Sequence, residues 1–238
     1  MTEDAAQDWD PAYTEDGESI LWSSDRGGTL QVWTARRDGS ATRQISSHPS
    51  DAQNPGQLKG TDEFIYGSSG SRTWGVYRVS LDGSDDRLLY GGPIGVPYPS
   101  PDGRWIAVSG GNPSIRGLGS AHLVFVDAAT GEVLPNAFLF EGLDRVTSAA
   151  MGRPRWIGDR QVAFLGHTRG LIGVMSMAFD PTQSAPGQPR PLAGFPAAAN
   201  VESFDISPDG QRAVLSYERQ IATVVIVDRL GALKAAQE

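Results

Sequence analysis

Residues 97–110 read PYPSPDGRWIAVSG, and residues 204–216 read FDISPDGQRAVLS. In both, Ser-Pro-Asp-Gly leads into a short apolar run. Asp and Gly suit a tight turn for different reasons. Asp hydrogen-bonds to its own backbone, and Gly accepts positive φ at little steric cost. Looser versions stand at 11–24 (PAYTEDGESILWSS), 58–69 (LKGTDEFIYGSS) and 154–166 (PRWIGDRQVAFLG). The turn aspartates Asp16, Asp62, Asp102, Asp159 and Asp209 are 46, 40, 57 and 50 residues apart. A period in the forties with several short strands per unit is the mark of a blade array.

Each unit carries further strand signals. The turn is followed by Ser19–Trp22, Phe64–Tyr66, Trp105–Val108, Gln161–Leu165 or Arg212–Leu215. A polar, Gly-rich loop comes next, then Leu30–Thr34, Gly75–Val79, His122–Val126, Gly173–Ala178 or Thr223–Val227. Three of these run into hairpin signals at Asp38-Gly39, Asp82-Gly83 and Thr130-Gly131, before short outer strands such as Arg43–Ile45 and Arg87–Leu89. Apolar and polar residues alternate only in part, as expected of strands covered on both faces. One unit is therefore about four antiparallel strands, and radial packing buries both of its faces. The expected fold is an all-β propeller of four-stranded blades near 8–47, 48–91, 92–140, 141–195 and 196–230, forming a single domain over 1–238. Helix content should be near zero. Residues 231–238 form a tail, read as a frayed helical turn or a disordered end.

Composition agrees. The chain has 238 residues, of which 29 are Gly and 16 Pro, too many for a helical bundle. It has no Cys, which excludes disulfides, thiol nucleophiles and thiolate metal sites. A net charge of -8 argues against non-specific binding to nucleic acid or anionic membrane. The longest mostly apolar stretch, 170–179, is too short to span a bilayer, so no direct membrane insertion is expected. The first ten residues, MTEDAAQDWD, have no apolar signal region.

The strings DPAYTEDGESILWSSDRGGTLQVW and SFDISPDGQRAVLS resemble the repeats of TolB-type propellers, also called WD-like repeats. Units one, three and five match well. Unit two keeps little of the turn, and unit four has Ile157-Gly158-Asp159 in its place. The resemblance covers about residues 8–230 and is specific for fold, because the repeat hosts unrelated functions. It implies kinship with periplasmic TolB, with the propeller half of prolyl-oligopeptidase-like peptidases, or with C-terminal propellers of bacterial protein kinases and transcriptional regulators. The closing FDISPDG…LS…VVIVDRL looks most like the last group. The resemblance also favours a periplasmic or extracytoplasmic location. TolB-like rings usually have six or more blades, whereas five are readable here. The chain is thus expected to be the C-terminal part of a longer protein or an incomplete ring, unless residues 2–8 or Leu230–Leu233 supply the last outer strand.

Catalytic motifs are absent from the sequence: no G-x-S-x-G elbow, Walker A or H-E-x-x-H. Gly67-Ser68-Ser69-Gly70-Ser71 has the wrong spacing for an elbow, and Gly117-Leu118-Gly119 reads as a loop. His48, His122 and His167 lie in different units and read as structural or exposed. The Asp-Gly turns (Asp16-Gly17, Asp102-Gly103, Asp209-Gly210) carry one carboxylate each, which suits a turn better than calcium. No cofactor or metal is expected. The carboxylates Asp25, Asp205 and Glu218 do not form a glycosidase pair.

The recurring candidate is an Arg in the loop after each unit's second strand: Arg26, Arg72, Arg116, Arg169 and Arg219. Strand parity puts these loops on one face and the Asp-Gly turns on the other. Such a ring of guanidiniums fits an anionic peptide end or acidic loop. The plainer reading has each Arg pairing with a neighbouring blade's Asp or carbonyls, which the resemblance favours because the S-D-R triplet recurs from blade to blade in TolB-type propellers. Only Asp25-Arg26 keeps the acid–base pair; Ser71, Ile115, Thr168 and Glu218 replace the acid elsewhere. Trp74, two residues after Arg72, is either an interface hot spot or packed between blades, the second slightly favoured. Trp22, Trp33, Trp105 and Trp156 read as core. The segment 180–196, with five Pro and no strand pattern, reads as a surface linker or a polyproline ligand. The function expected is a non-catalytic module that binds a protein, a peptide or a small ligand as sensor or scaffold, covalently joined to another domain. The alternative is the gating propeller of a serine peptidase.

Overall fold

The computed structural model describes residues 4–68, 74–92, 96–110, 122–134, 138–139, 145–146, 153–168, 171–182, 187–192, 200–207 and 211–218. Among them there is no helix. Blade one is β1 (Asp8–Tyr13), β2 (Ser19–Ser24), β3 (Gln31–Arg36) and β4 (Arg43–Gln44), antiparallel in that order. Blade two repeats this with β5 (Gln53–Gln57), β6 (Glu63–Ser68), β7 (Gly75–Ser80) and β8 (Arg87–Gly91). Blade three uses β9 (Val96–Pro99), β10 (Trp105–Gly110), β11 (His122–Asp127) and β12 (Phe138–Leu139). In blade four the first position is split. Both β13 (Arg145–Val146) and β14 (Arg155–Ile157) pair with β15 (Gln161–Thr168), which continues to β16 (Leu171–Ala178) and β17 (Arg190–Pro191). The described part of blade five is β18 (Asn200–Ile206) and β19 (Ala213–Glu218).

Period-2 side-chain alternation builds the core between blades. Phe64 and Tyr66 of β6 pack with Leu21 and Val32 of blade one. Ile65, between them in sequence, packs with Ile106 and Val108 of blade three. Ala107 turns the other way, toward Phe125, Trp156 and Phe164 at the interface of blades three and four. Ala163 and Leu165 then meet Phe204 of blade five. Consecutive residues of one strand thus serve two different cores, and Phe64, Ile65 and Tyr66 are all essentially inaccessible. Burying one such side chain is worth about 1.5–3 kcal/mol.

Turns of one kind pin blades one and three, and in part blade five. In blade one the Thr14 hydroxyl donates to Asp16 Oδ1 (2.6 Å) and accepts from the Ser19 amide (3.0 Å), while Asp16 Oδ1 also accepts from the Glu18 amide (3.0 Å). Blade three repeats it. Ser100 donates to Asp102 Oδ1 (2.5 Å), and the amides of Arg104 and Trp105 donate to Asp102 and Ser100. In blade five the Arg212 amide donates to the Ser207 hydroxyl at 2.9 Å; Asp209 and Gly210 lie outside the described residues. Gly17 and Gly103 have φ of +70° and +72°. Gly103 has a second reason to be Gly: a Cβ there would stand 2.9 Å from the carbonyl oxygen of Lys59 in blade two.

Several local expectations change. The expected strands after the turns run further, through Ser23, Ser24, Ser68 and Ser109, all buried. These are small residues that remain paired and buried, so the strands continue beyond the apolar run. In blade five the strand also starts one residue later than expected, at Ala213. The segment 180–196 does contain a strand, β17, whose Arg190 and Pro191 pair with Ser176 and Met175. Pro is tolerated there because an outer edge strand needs no amide on its free side. Residues 4–8 do not form an outer strand for blade five. They run beside blade one's own loop, where the Gln7 amide donates to Asp25 Oδ1 at 2.8 Å and the Asp25 amide bonds back to the Gln7 carbonyl. Leu230–Leu233 and Thr223–Val227 lie outside the described residues.

Candidate functional site

The site begins with a repeated irregularity in the innermost strands. In β1 and β5 the pairing register slips between Trp9 and Ala12 and between Gln53 and Gly56. Each bulge holds a residue at positive φ followed by Pro: Asp10 (φ 57°) before Pro11, and Asn54 (φ 58°) before Pro55. Asp and Asn visit this region more readily than other side-chain-bearing residues, and bulges re-aim side chains. Blade four has Arg153-Pro154 at the same place. Arg153 Nε donates to Asn54 Oδ1 (3.1 Å), and its Nη2 donates to the Asp10 carbonyl (3.1 Å) and pairs with Asp10 Oδ1 (3.2 Å). Blade four is not next to blade two, so these bonds are made across the central axis.

Both charges of this pair are removed from water, with side-chain exposures of 6% for Arg153 and 10% for Asp10. Burial raises the Asp10 carboxyl above the usual carboxylate value, and the Arg153 charge and hydrogen bond and the Asn54 amide oppose it. Burial likewise lowers Arg153, with Asp10 opposing. The pair holds because each charge has the other, and a lone partner would be left buried without compensation.

Above the pair lies a cavity of about 900 Å³. Blade one contributes Trp9 and Pro11, blade two Gln53, blade four Arg155, and blade five Phe204, Asp205, Val214 and Leu215. Trp9 is 47% exposed and Val214 69%. Arg155 is held in place on several sides. Its Nε donates to Asp205 Oδ1 (2.8 Å), its Nη1 donates to the Pro154 carbonyl (3.3 Å), and its guanidinium lies 4.6 Å from the Tyr98 ring centre. A volume of this order, apolar walls and a few convergent polar groups are the ordinary features of a ligand site.

Of the residues expected from the sequence, the described ones, Arg26 and Trp74, fall elsewhere. Arg26 Nη2 grips both oxygens of Asp8 (2.9 and 3.0 Å), its Nε donates to Ser24 Oγ (2.9 Å), and Asp4 is 3.6 Å away. The guanidinium lies 5.2 Å from the ring centres of both Trp22 and Trp33. Asp8 belongs to the same blade, so this Arg clamps its own sheet rather than reaching to a neighbour. The reason is local: one turn of loop returns Arg26 over β1, whose Asp8 is already at hand. Arg72, Arg116, Arg169 and Arg219 lie outside the described residues. Trp74 is 44% exposed and does not pack between blades; its carbonyl accepts from the Gly92 amide. Trp22 and Trp156 are buried, and Trp105 packs against the core of blades three and four. His48 is buried between blades one and two. Its Nδ1 accepts from the Ser50 amide (3.1 Å), and its ring stands edge-on to Tyr77 (4.4 Å).

The axial residues Trp9, Asp10, Gln53, Asn54, Arg153 and Arg155 escaped the motif reading. A signal for them exists. An X-Pro pair begins six residues before the turn Asp in blades one, three and four, at Asp10, Val96 and Arg153, and eight before it at Asn54.

No family model matches the chain. An uncharacterised protein of Agrobacterium fabrum is 27% identical over an alignment covering 39% of this chain and 36% of that protein. Among solved structures, a putative TolB from Agrobacterium tumefaciens superposes with a TM-score of 0.67 and 19% identity, over 89% of this chain and 74% of that one. The fold is a TolB-like β-propeller. An oligogalacturonate lyase in complex with manganese matches with a TM-score of 0.60 at 15% identity, over 89% of this chain and 58% of that one. A puromycin-hydrolysing peptidase of Mycobacterium tuberculosis matches at 0.52 and 20%, over 89% and 34%. The chain spans about a third of the curated relative and well under two thirds of the lyase. This TolB-like propeller therefore shares its architecture with enzymes and with TolB proteins alike.

Proposed function

We propose that this propeller is a non-catalytic binding module that takes a peptide, a protein segment or a small ligand in its axial cavity. The supporting observation is the cavity itself: aromatic and aliphatic walls converge on a buried, hydrogen-bonded Arg153–Asp10 pair and a positioned Arg155. The module acts as sensor or scaffold within a larger signalling protein, and the family resemblance adds an extracytoplasmic location to the same proposal. A thermal-shift screen of short peptides and small metabolites tests it. Hits should lose their shift in Trp9→Ala and keep it in Lys59→Gln on the turn-bearing face. A screen without hits, or with hits indifferent to Trp9, would overturn it.

A second reading is the gating propeller of a prolyl-oligopeptidase-like serine peptidase. It is favoured by the likeness to the puromycin-hydrolysing peptidase, of which this chain spans 34%. In that case the cavity is a passage for substrate. The parent gene discriminates: a hydrolase segment with G-x-S-x-G in the same reading frame supports the gate, whereas a kinase or DNA-binding segment supports the sensor.

A further inference from the structure

The two arginines at the axis differ in what they have left to offer. Arg153 commits its Nε and Nη2 to Asn54 and Asp10. Arg155 is held through Nε, Nη1 and the Tyr98 ring, yet its Nη2 makes no hydrogen bond to any described residue. Beside it, Asp205 uses Oδ1 for Arg155 and for the Ile206 amide, and leaves Oδ2 at a carboxyl that is 56% exposed. The Gln53 carboxamide, on the same cavity, makes no side-chain hydrogen bond among the described residues. The cavity therefore presents an open donor edge, an open acceptor and an adaptable amide, all beside the exposed apolar surfaces of Trp9 and Val214.

Charge balance narrows what fits. Arg155 with Asp205, and Arg153 with Asp10, each sum to zero. A simple anion placed on Arg155 Nη2 would lie beside the Asp205 carboxylate, and a simple cation on Asp205 would face the guanidinium. Each would gain one contact and meet one like charge at short range. A molecule carrying both signs meets neither penalty.

The geometry points to a small zwitterion with an apolar side chain as the ligand: a carboxylate on Arg155 Nη2, an ammonium on Asp205 Oδ2, and the side chain against Trp9 and Val214. A free amino acid and a dipeptide or tripeptide share this chemistry. Guanidinium–carboxylate hydrogen bonds are among the stronger ones available, so Arg155 supplies orientation as well as affinity. The inference rests on the cavity being a binding site, as proposed above, and adds the class of ligand.

Isothermal titration calorimetry on the full chain tests it with four probes: L-phenylalanine, glycyl-L-phenylalanine, N-acetyl-L-phenylalanine and L-phenylalaninamide. At least one of the first two should bind, and the dissociation constants separate the amino-acid from the peptide source. The acetylated and amidated forms, each missing one charge, should bind at least about tenfold more weakly. Asp205→Asn, at an exposed position, should weaken the zwitterion by a similar factor, and so should Arg155→Gln. Equal binding of N-acetyl-L-phenylalanine overturns the inference in favour of a simple carboxylate site, and equal binding of the amide overturns it in favour of a cation site. No binding of either zwitterion also overturns it. The wider reading is judged separately: Trp9-dependent hits in the thermal-shift screen that are not zwitterions would leave the binding module standing and remove only the zwitterion.

Discussion

Asp10 and Asp16 are six residues apart in blade one and could hardly be placed more differently. Asp16 sits on the rim at an exposed turn, where its carboxylate accepts from the Thr14 hydroxyl and the Glu18 amide. Those hydrogen bonds, chiefly the one from Thr14, hold its carboxyl below the usual value. Asp10 is buried at the axis, where burial raises its carboxyl despite Arg153. The rim aspartate is satisfied within a few residues of itself. The axial one is satisfied by a residue 143 positions away. Rim chemistry makes each blade, and axial chemistry joins blades that are not neighbours.

The largest effect should come from breaking the axial side of this comparison. Arg153→Ala leaves Asp10 buried without its partner, and should cost about 3–5 kcal/mol in urea unfolding. A cost near that of an ordinary surface substitution would mean that the axis carries no coupling.

The rim gives intermediate effects, and two glycines sharpen it. Gly103→Ala forces a Cβ to within 2.9 Å of the Lys59 carbonyl oxygen at a φ of +72°, whereas Gly17 has φ +70° and nothing within 4 Å. Gly17→Ala should cost about 1 kcal/mol for backbone strain alone, and Gly103→Ala distinctly more, about 2–3 kcal/mol. Equal costs would show that the interblade contact yields freely. Arg26→Ala removes a two-oxygen grip on Asp8 and stacking on two indoles. It should cost about 1–2 kcal/mol, less than Arg153 because its partner stays in reach of water.

The smallest and most discriminating effect is in pH dependence, where the two aspartates should act with opposite sign. The folded value of Asp16 lies below its unfolded 3.8, so its stabilisation is full above 3.8 and is lost as pH falls through the lowered value. The folded value of Asp10 lies above 3.8, so between the two values the folded state holds more protons, and stability falls as pH rises through that window. Asp16→Asn should therefore flatten the acid limb of a stability–pH profile. Asp10→Asn should remove a decline on its higher-pH side. Shifts of the same sign in both variants would contradict the contrast.

This division also explains what could be read from the sequence. The Asp-Gly turns and the strands after them were legible because their causes are local: a hydroxyl two residues before the Asp, a Gly after it, an apolar run beyond. Phe64-Ile65-Tyr66 was legible as a strand covered on both faces for the same reason. The axial site was not, because Arg153 means nothing until folding places it beside Asn54, 99 residues earlier, and Asp10. Arg26 stood out instead, since an Arg recurs in the matching loop of every unit, yet its guanidinium is occupied within its own blade. Repetition marked the scaffold, while the axial cavity is lined by positions that differ from blade to blade.

The most direct test is a double-mutant cycle on Asp10 and Arg153, using Asp10→Leu, Arg153→Met and the pair together, read by equilibrium unfolding. A real axial link predicts that each single variant is strongly destabilised, and that the double variant recovers much of the loss, giving a coupling of about 2 kcal/mol or more. Single costs that add to the double within about 0.5 kcal/mol would contradict it, and with it the claim that the axis ties non-neighbouring blades together.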